Sequence, residues 1–332
     1  MKSILIVGGA GYIGSHVALS FLKAGHAVTV FDNLSTGQRS NLFQEARFVH
    51  GDVQDRMLLG STLAYGYDAV VHLAALKSVG ESMEFPERYA RQNITGTLNL
   101  LEAISRSTAR IVIFSSSAAV YGMPESLPMD EKHSLQPINF YGFSKLEIER
   151  TLHWYDRLKG IRFASLRYFN AAGYDVDGRI SGREPNPENL LPVIVETLCG
   201  MRESMQVFGN DFPTPDGTGV RDYIHVTDLA TAHVQAFETI LENRKSLTVN
   251  LGTGQGCSVM EIIKMAEKVT GKKVPYTIAP RRKGDAAELC AKADLAGRVL
   301  GWRPVFSDLK TLVESTWRVY KSFSASFLHT IR

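Results

Sequence analysis

Along the first half of the chain, short runs of β-branched and apolar residues alternate with longer stretches whose apolar positions recur at helical spacing. The runs fall at Ile4 to Val7, Ala27 to Phe31, Arg47 to His50, Ala69 to Leu73, Arg110 to Phe114 and Arg162 to Arg167. Between them, Val17, Leu19, Phe21 and Leu22, and later Leu98, Leu100, Leu101 and Ile104, mark amphipathic helices. Strands and helices in alternation predict right-handed crossovers, so the fold class expected is α/β, a doubly wound parallel sheet of six strands.

After Asn170 the texture changes: Gly173, Gly178, Gly182, Pro185 and Pro187 crowd a short stretch, and a mixture of short elements follows. This divides the chain into a first domain over 1–170 and a smaller C-terminal α/β substrate domain over 171–332. Residues 223–252 again read helix then strand, with Leu247 to Leu251 apolar, which leaves two placements open: within the second domain, or a return to the first.

With 332 residues, 44% of them hydrophobic and 21% charged, the chain can bury a core without disulfides or metal. Its formal charge of +3 is spread along the sequence rather than gathered into a basic stripe, which excludes nucleic acid as a partner. Cys199, Cys257 and Cys290 have neither metal-site nor redox-motif spacing, so no metal is expected and a reducing compartment, the cytoplasm, is the natural setting. No apolar run approaches the roughly 20 residues that span a bilayer, and the apolar start is too short for a signal peptide, so neither membrane insertion nor secretion is expected.

Chemistry enters at Gly8-Gly9-Ala10-Gly11-Tyr12-Ile13-Gly14, between the first strand and the helical stretch Ser15 to Ala24. Glycines suit a tight turn whose backbone must approach a diphosphate, and the helix N-terminus behind it offers free N–H groups. An ordinary strand-to-helix turn would also tolerate them. Asp32, closing the second strand, adds a carboxylate that can accept from ribose hydroxyls, the pairing found in Rossmann-type dinucleotide sites. A carboxylate there repels a 2′-phosphate, so NAD is the cofactor expected; Arg39 could reach such a phosphate but reads better as a solvated loop residue. Asp52 reads equally as a group at the adenine edge or as a turn aspartate.

Tyr141 and Lys145 stand four apart on a helical stretch and so share a face. A neighbouring ammonium stabilises phenolate, the form a general base for an alcohol proton requires. Such pairs also arise on solvated helix faces. Ser115-Ser116-Ser117 at the end of the fifth strand changes the picture, because ligands of open α/β sheets bind beyond the carboxyl ends of strands. One of the three can hold a reacting oxygen, the other two serving local turn bonds.

The run Gly8 to Gly14, the stretch Ser115-Ser116-Ser117-Ala118-Ala119-Val120-Tyr121-Gly122 and the Tyr-x-x-x-Lys helix resemble the extended short-chain dehydrogenase/reductase superfamily. Within it the chain is similar to the UDP-hexose 4-epimerase family over residue 2 to about residue 320. The segments that carry this likeness are Leu73-Ala74-Ala75-Leu76-Lys77-Ser78-Val79-Gly80-Glu81-Ser82, Leu166-Arg167-Tyr168-Phe169-Asn170, Phe208 to Thr214, Asp216 to Val226 and Ala279 to Asp285.

The resemblance implies an NAD site formed by Gly8, Gly11, Tyr12, Ile13, Gly14, Asp32, Asn33, Asp52, Val53, Leu73, Ala74, Ala75, Lys77, Asn93 and Phe169, with Lys145 at the nicotinamide ribose. It implies Ser117 and Tyr141 at the sugar hydroxyl and Asn170, Asn189, Leu190, Phe208, Arg221, Arg282 and Asp285 around UDP. Two arginines suit a diphosphate held between domains. The activity implied is interconversion of UDP-galactose and UDP-glucose through a 4-keto sugar on retained NAD, in a homodimer. Leu289 stands where a bulkier tyrosine would exclude N-acetylated sugars, so UDP-GalNAc and UDP-GlcNAc come within reach.

Departures are few: Phe140 replaces a proline common in the family, and Phe143 occupies a variable place. A 4,6-dehydratase would need an Asp-Glu pair where Ala118 and Ala119 stand. A non-catalytic NAD(H)-sensing module would have no use for Ser117, Tyr141 and Lys145 together.

Overall fold

The protein is seen in a computed structural model that describes residues 1–185, 187–282 and 284–329, with side chains described through 322. Its main sheet joins β1 (Ser3–Val7), β2 (Ala27–Asp32), β3 (Arg47–His50), β4 (Ala69–His72), β5 (Ile111–Ser117), β6 (Arg162–Tyr168) and β10 (Leu247–Leu251), in the order β10-β6-β5-β4-β1-β2-β3. All six pairings are parallel. The order reverses direction between β1 and β4, which opens a crevice at their carboxyl ends.

The near-continuous apolar runs follow from burial on both faces. Ile4 and Ile6 pack with Val17 and Phe21 of α1 (Tyr12–Lys23) and with Phe237 and Ile240 of α8 (Val226–Asn243). Leu5 and Val7, alternating to the other face, pack with Leu59 and Leu63 of α2 (Arg56–Leu63), Leu100 and Ile104 of α5 (Gly96–Ser105), and Ile148 and Leu152 of α6 (Phe140–Lys159). Short helices α3 (Val79–Glu84) and α4 (Pro86–Tyr89) and a π-helical turn over Ala90–Thr95 lead into α5.

The second domain builds on β7 (Asn170–Ala172), β8 (Met205–Phe208), β9 (Val220–His225), β11 (Gly256–Ser258), β12 (Tyr276–Ala279) and β13 (Glu288–Leu289). Strands β11, β13 and β7 pair with β9, and β12 pairs with β8. Helices α7 (Leu190–Leu198), α9 (Val259–Thr270) and α11 (Leu309–His329) close a separate core over them, and α10 (Asp294–Leu300) packs back on the first domain through Ala296 and Leu300.

The pattern of apolar runs falls short in three places. The sheet has seven strands, because β10 lies beside β6. β5 continues through Ser117, so the serines are strand residues with fixed facing rather than turn residues. Helix α1 starts at Tyr12, three residues before the apolar periodicity becomes readable, because glycines hide its first turn. No helix among the described residues is long and apolar enough to cross a membrane.

Candidate active site

The residues singled out in the first domain gather at the carboxyl ends of β1, β2, β3, β4, β5 and β6. At the end of β1 the chain turns on Gly8, which has φ +88° and whose imagined Cβ would sit 2.5 Å from Ala74 N. Leu73 and Ala74 both donate to Val7 O, so the loop after β4 is pressed onto the turn. At Gly14 a Cβ would meet Gly8 O at 2.0 Å, so helix and turn can pack only because that position is bare. A Cβ on Gly11 would touch only Gly8 O, at 3.4 Å. No side-chain cap closes the N-terminus of α1 at Gly11, which leaves its first-turn N–H groups for an anion.

Asp32 is buried, accepting from Ala10 N at 2.9 Å and Leu34 N at 2.8 Å, and so holds its carboxylate beside the turn. Asn33 donates to Asp52 Oδ2 at 2.7 Å, and Asp52 also accepts from Gln54 N at 2.8 Å; these two residues orient one another beyond β2 and β3. Val53 is buried nearby, Ile13 packs on the first core, and Arg39 is exposed, as a solvated loop residue would be.

Three residues implied at the NAD site have side-chain partners within the protein. The Tyr12 phenol donates to Gly173 O at 2.5 Å and packs against the rings of Tyr174 and His16, so it ties the glycine turn to the segment after β7. Asn93 is used internally: its carbonyl accepts from Leu76 N at 2.8 Å and its amide donates to Leu76 O and Ser144 Oγ. It positions the Leu76 loop rather than presenting a free group. Lys77 is ion-paired to Glu184 across the domain boundary, with its side chain 58% exposed. These roles escape sequence reading because each partner lies far along the chain.

Helix α6 carries Tyr141 and Lys145. Asn139 caps it, accepting from Gly142 N at 2.8 Å, and this cap replaces the rigidity a preceding proline would give. Gly142 lets the first turn approach the turn that follows β5, since a Cβ there would meet Ala119 O at 2.3 Å. Tyr141 then hydrogen-bonds the Ser117 hydroxyl. Lys145 is buried, donating to Ser115 O at 2.7 Å and Ser115 Oγ at 3.3 Å, with its nitrogen 5.8 Å from the Tyr141 ring centre.

Electrostatics here depart from the expected lowering of the tyrosine. Burial pushes the Tyr141 phenol up, and the Ser117 hydrogen bond acts the other way. Burial also pulls Lys145 down to about 7, against the field of Glu149, so the ammonium holds its proton only weakly near neutrality. The three serines do three jobs, and the local turn bond expected for two falls to one: Ser115 holds Lys145, Ser116 donates to Glu149 at 2.5 Å, and Ser117 meets Tyr141 while also accepting from Ala119 N. Glu149 was readable as the residue four beyond Lys145; its partner Arg167, on β6, gave no local signal.

The residues implied around UDP lie on β7, β8, β9 and β13, at the start of α7 and in the segment between β12 and β13. The Arg282 guanidinium lies over the Phe208 ring, 3.8 Å from its centre. Arg221, the second residue of β9, approaches Asp285 at 3.6 Å, and Leu289 sits opposite it in the β13 register. Asn170 pairs with Tyr223 across β7 and β9 and hydrogen-bonds its phenol. Asn189 precedes the first turn of α7, which opens at Leu190. Phe169 is buried with Tyr121, Leu146 and Ala291, and Leu289 packs against that cluster. Lys283, inside one segment of the resemblance, lies outside the described residues.

The NAD dependent epimerase/dehydratase family matches residues 4–252. The UDP-glucose 4-epimerase of Lacticaseibacillus casei is 42% identical over 327 residues, 98% of each chain. Among solved structures, a UDP-glucose-4-epimerase from Stenotrophomonas maltophila with bound NAD and formylated UDP-arabinopyranose superposes with a TM-score of 0.94 at 40% identity, covering 98% of this chain and 100% of that one. The UDP-Glc/GlcNAc 4-epimerase of Campylobacter jejuni does so with a TM-score of 0.85 at 37% identity, over 97% and 100%. A bare glycine turn under an uncapped helix, a buried strand-end carboxylate and a Ser-Tyr-Lys set fit the cofactor this family is named for, and the chain belongs to the NAD dependent epimerase/dehydratase family.

Proposed function

We propose that the chain interconverts UDP-galactose and UDP-glucose through a 4-keto sugar, keeping its NAD throughout. The observation that carries this reading is Tyr141 hydrogen-bonded to Ser117 with Lys145 beneath it, at strand ends that open toward Phe208, Arg221, Arg282 and Asp285. Bound NAD would supply the acceptor and donor of one hydride, so no net oxidation is required. The glycine turn, the α1 N-terminus and Asp32 would hold it, with Lys145 near its ribose. Tyr141 Oη takes the proton of the hexose 4′-hydroxyl and later returns it, while Ser117 keeps that hydroxyl in line. A protonated Lys145, its nitrogen 5.8 Å from the Tyr141 ring centre, would favour the phenolate as the proton leaves. The arginines clamp the diphosphate while leaving the hexose room to turn about its link.

Purified protein mixed with UDP-galactose and no added cofactor should form UDP-glucose; no product even with NAD supplied would end the reading. Leu289, half-buried in the β13 register beside Arg221, supports N-acetylated UDP-sugars as further substrates, the range printed in the name of the Campylobacter jejuni neighbour. Absence of any UDP-GlcNAc turnover would remove that extension.

The same reading makes the enzyme a cytoplasmic homodimer. Phe143, Trp154 and Leu158 form an exposed stripe within about 60° on α6, apolar surface of the kind a second subunit covers, and the three cysteines are free. Light scattering gives the mass directly, and a monomer at micromolar concentration would refute the dimer.

A further inference from the structure

Beneath the reacting lysine lies a buried polar network that the proposed chemistry does not use. Glu149, one helical turn below Lys145, has both carboxylate oxygens occupied: Arg167 Nε donates at 3.0 Å and Nη2 at 2.6 Å, and Ser116 Oγ donates at 2.5 Å. The two side chains are only 5% and 3% exposed. Arg167 Nη1 donates onward to the Tyr121 hydroxyl at 3.0 Å, which itself donates to Asn250 at 2.6 Å. Five groups from β5, β6, β10, α6 and the turn after β5 are thereby locked together.

A buried ion pair is a weak way to stabilise a fold, because desolvation offsets most of the attraction. Its position suggests another use. A lysine and a glutamate at i and i+4 on one helix attract each other directly, yet among the described residues Lys145 forms no ion pair and bonds Ser115 instead. The two-pronged grip of Arg167 fixes the carboxylate away from it. Other charges on elements packed against α6 are turned elsewhere: Glu81 takes Arg88 and Tyr89, while Glu84, Glu87 and Arg91 are exposed. On β4, burial keeps His72 neutral, its value pulled down to about 3, and on β6 Tyr168 is pushed up and stays a phenol.

We propose that Arg167 is a positioning residue for the reaction: by gripping Glu149 it leaves Lys145 the carboxylate's field but not its contact, and so keeps the ammonium against Ser115 and Tyr141. The inference rests on the catalytic reading of Tyr141 and Lys145 given above. Without Arg167, Glu149 swings toward Lys145, holds its proton more tightly and draws it down the helix. Without the charge on Glu149, Lys145 loses the negative field that favours its ammonium form and gives up its proton earlier.

The test follows Lys145 directly, by the 13Cε resonance of lysine-labelled protein carrying its NAD, assigned with Lys145→Met. Relative to the parent, Arg167→Met should raise the titration midpoint by about one pH unit or more, and Glu149→Gln should lower it by about one. In epimerase assays Arg167→Met should reduce kcat about ten-fold with KM nearly unchanged. Coincident midpoints in all three proteins, with losses of activity matching losses of Tm, would overturn the proposal and leave the network a structural brace. If Arg167→Met does not fold, Ser116→Ala removes one donor from Glu149 and keeps the ion pair; its midpoint should rise by a smaller amount, and no rise would count against the proposal. An inactive parent would sink the epimerase reading alone, since the midpoints are read without turnover.

Discussion

On the first-domain wall of the cleft, the groups that would meet NAD are backbone amides and buried side chains fixed by packing. On the second-domain wall, the groups proposed for UDP include two long cationic side chains, Arg221 and Arg282, resting on one carboxylate and one aromatic ring. The first wall has no freedom: at Gly8 and Gly14 even a methyl group would collide with main chain. Side chains of the second are long enough to shift with a bound sugar. This division suits a reaction in which the cofactor stays and the hexose must turn between two poses.

Substitutions can break that comparison. The largest effect should come from Tyr141→Phe, which removes the proton-carrying oxygen but no packing; kcat should fall by about 10²–10⁴ while Tm and NAD content hold. Full activity in this variant would move the base elsewhere. Gly14→Ala should lower both bound NAD and Tm, the latter by several degrees, because Gly8 O cannot move aside. Gly11→Ala should leave Tm nearly unchanged, and equal tolerance of the two alanines would mean the first wall is softer than its geometry. On the other wall, Arg282→Ala should raise KM for UDP-galactose about ten-fold to a hundred-fold without changing Tm, the consequence of losing charged hydrogen bonds to phosphate.

The smallest effect is a pH slope. Lys145 titrates at about 7 in the fold against 10.5 when unperturbed, so between those values the unfolded chain holds more protons. Stability therefore rises with pH across that window as far as this residue is concerned. Lys145→Met should flatten that rise, seen as a smaller gain in Tm between about pH 7 and about pH 9. An unchanged slope would mean the lysine is hydrated.

How much of this could be read beforehand follows the same division. The first wall was legible because parallel strands buried on two faces leave long apolar runs, and because a turn that must admit a diphosphate has few alternatives to glycine. Tyr141, Lys145 and Ser117 were legible once the strand ends were placed. The side-chain partners were not. Arg167 lies 18 residues beyond Glu149, and nothing local to Tyr12 points to Gly173; such pairs exist only once the sheet has set its register. Arg221 and Arg282 looked like surface residues; Arg221 is half-buried on β9 beside Leu289, while Arg282 is exposed and rests on the Phe208 ring, contacts no local pattern announces.

The return of β10 to the main sheet bears on how the protein is made. During synthesis the ribosome must release residues through Leu251, including much of the second domain, before β6 gains its last neighbour. A fragment ending near residue 170 would expose that strand's edge to other nascent chains. Trimming the gene to an autonomous cofactor module should therefore give aggregates rather than a smaller folded unit.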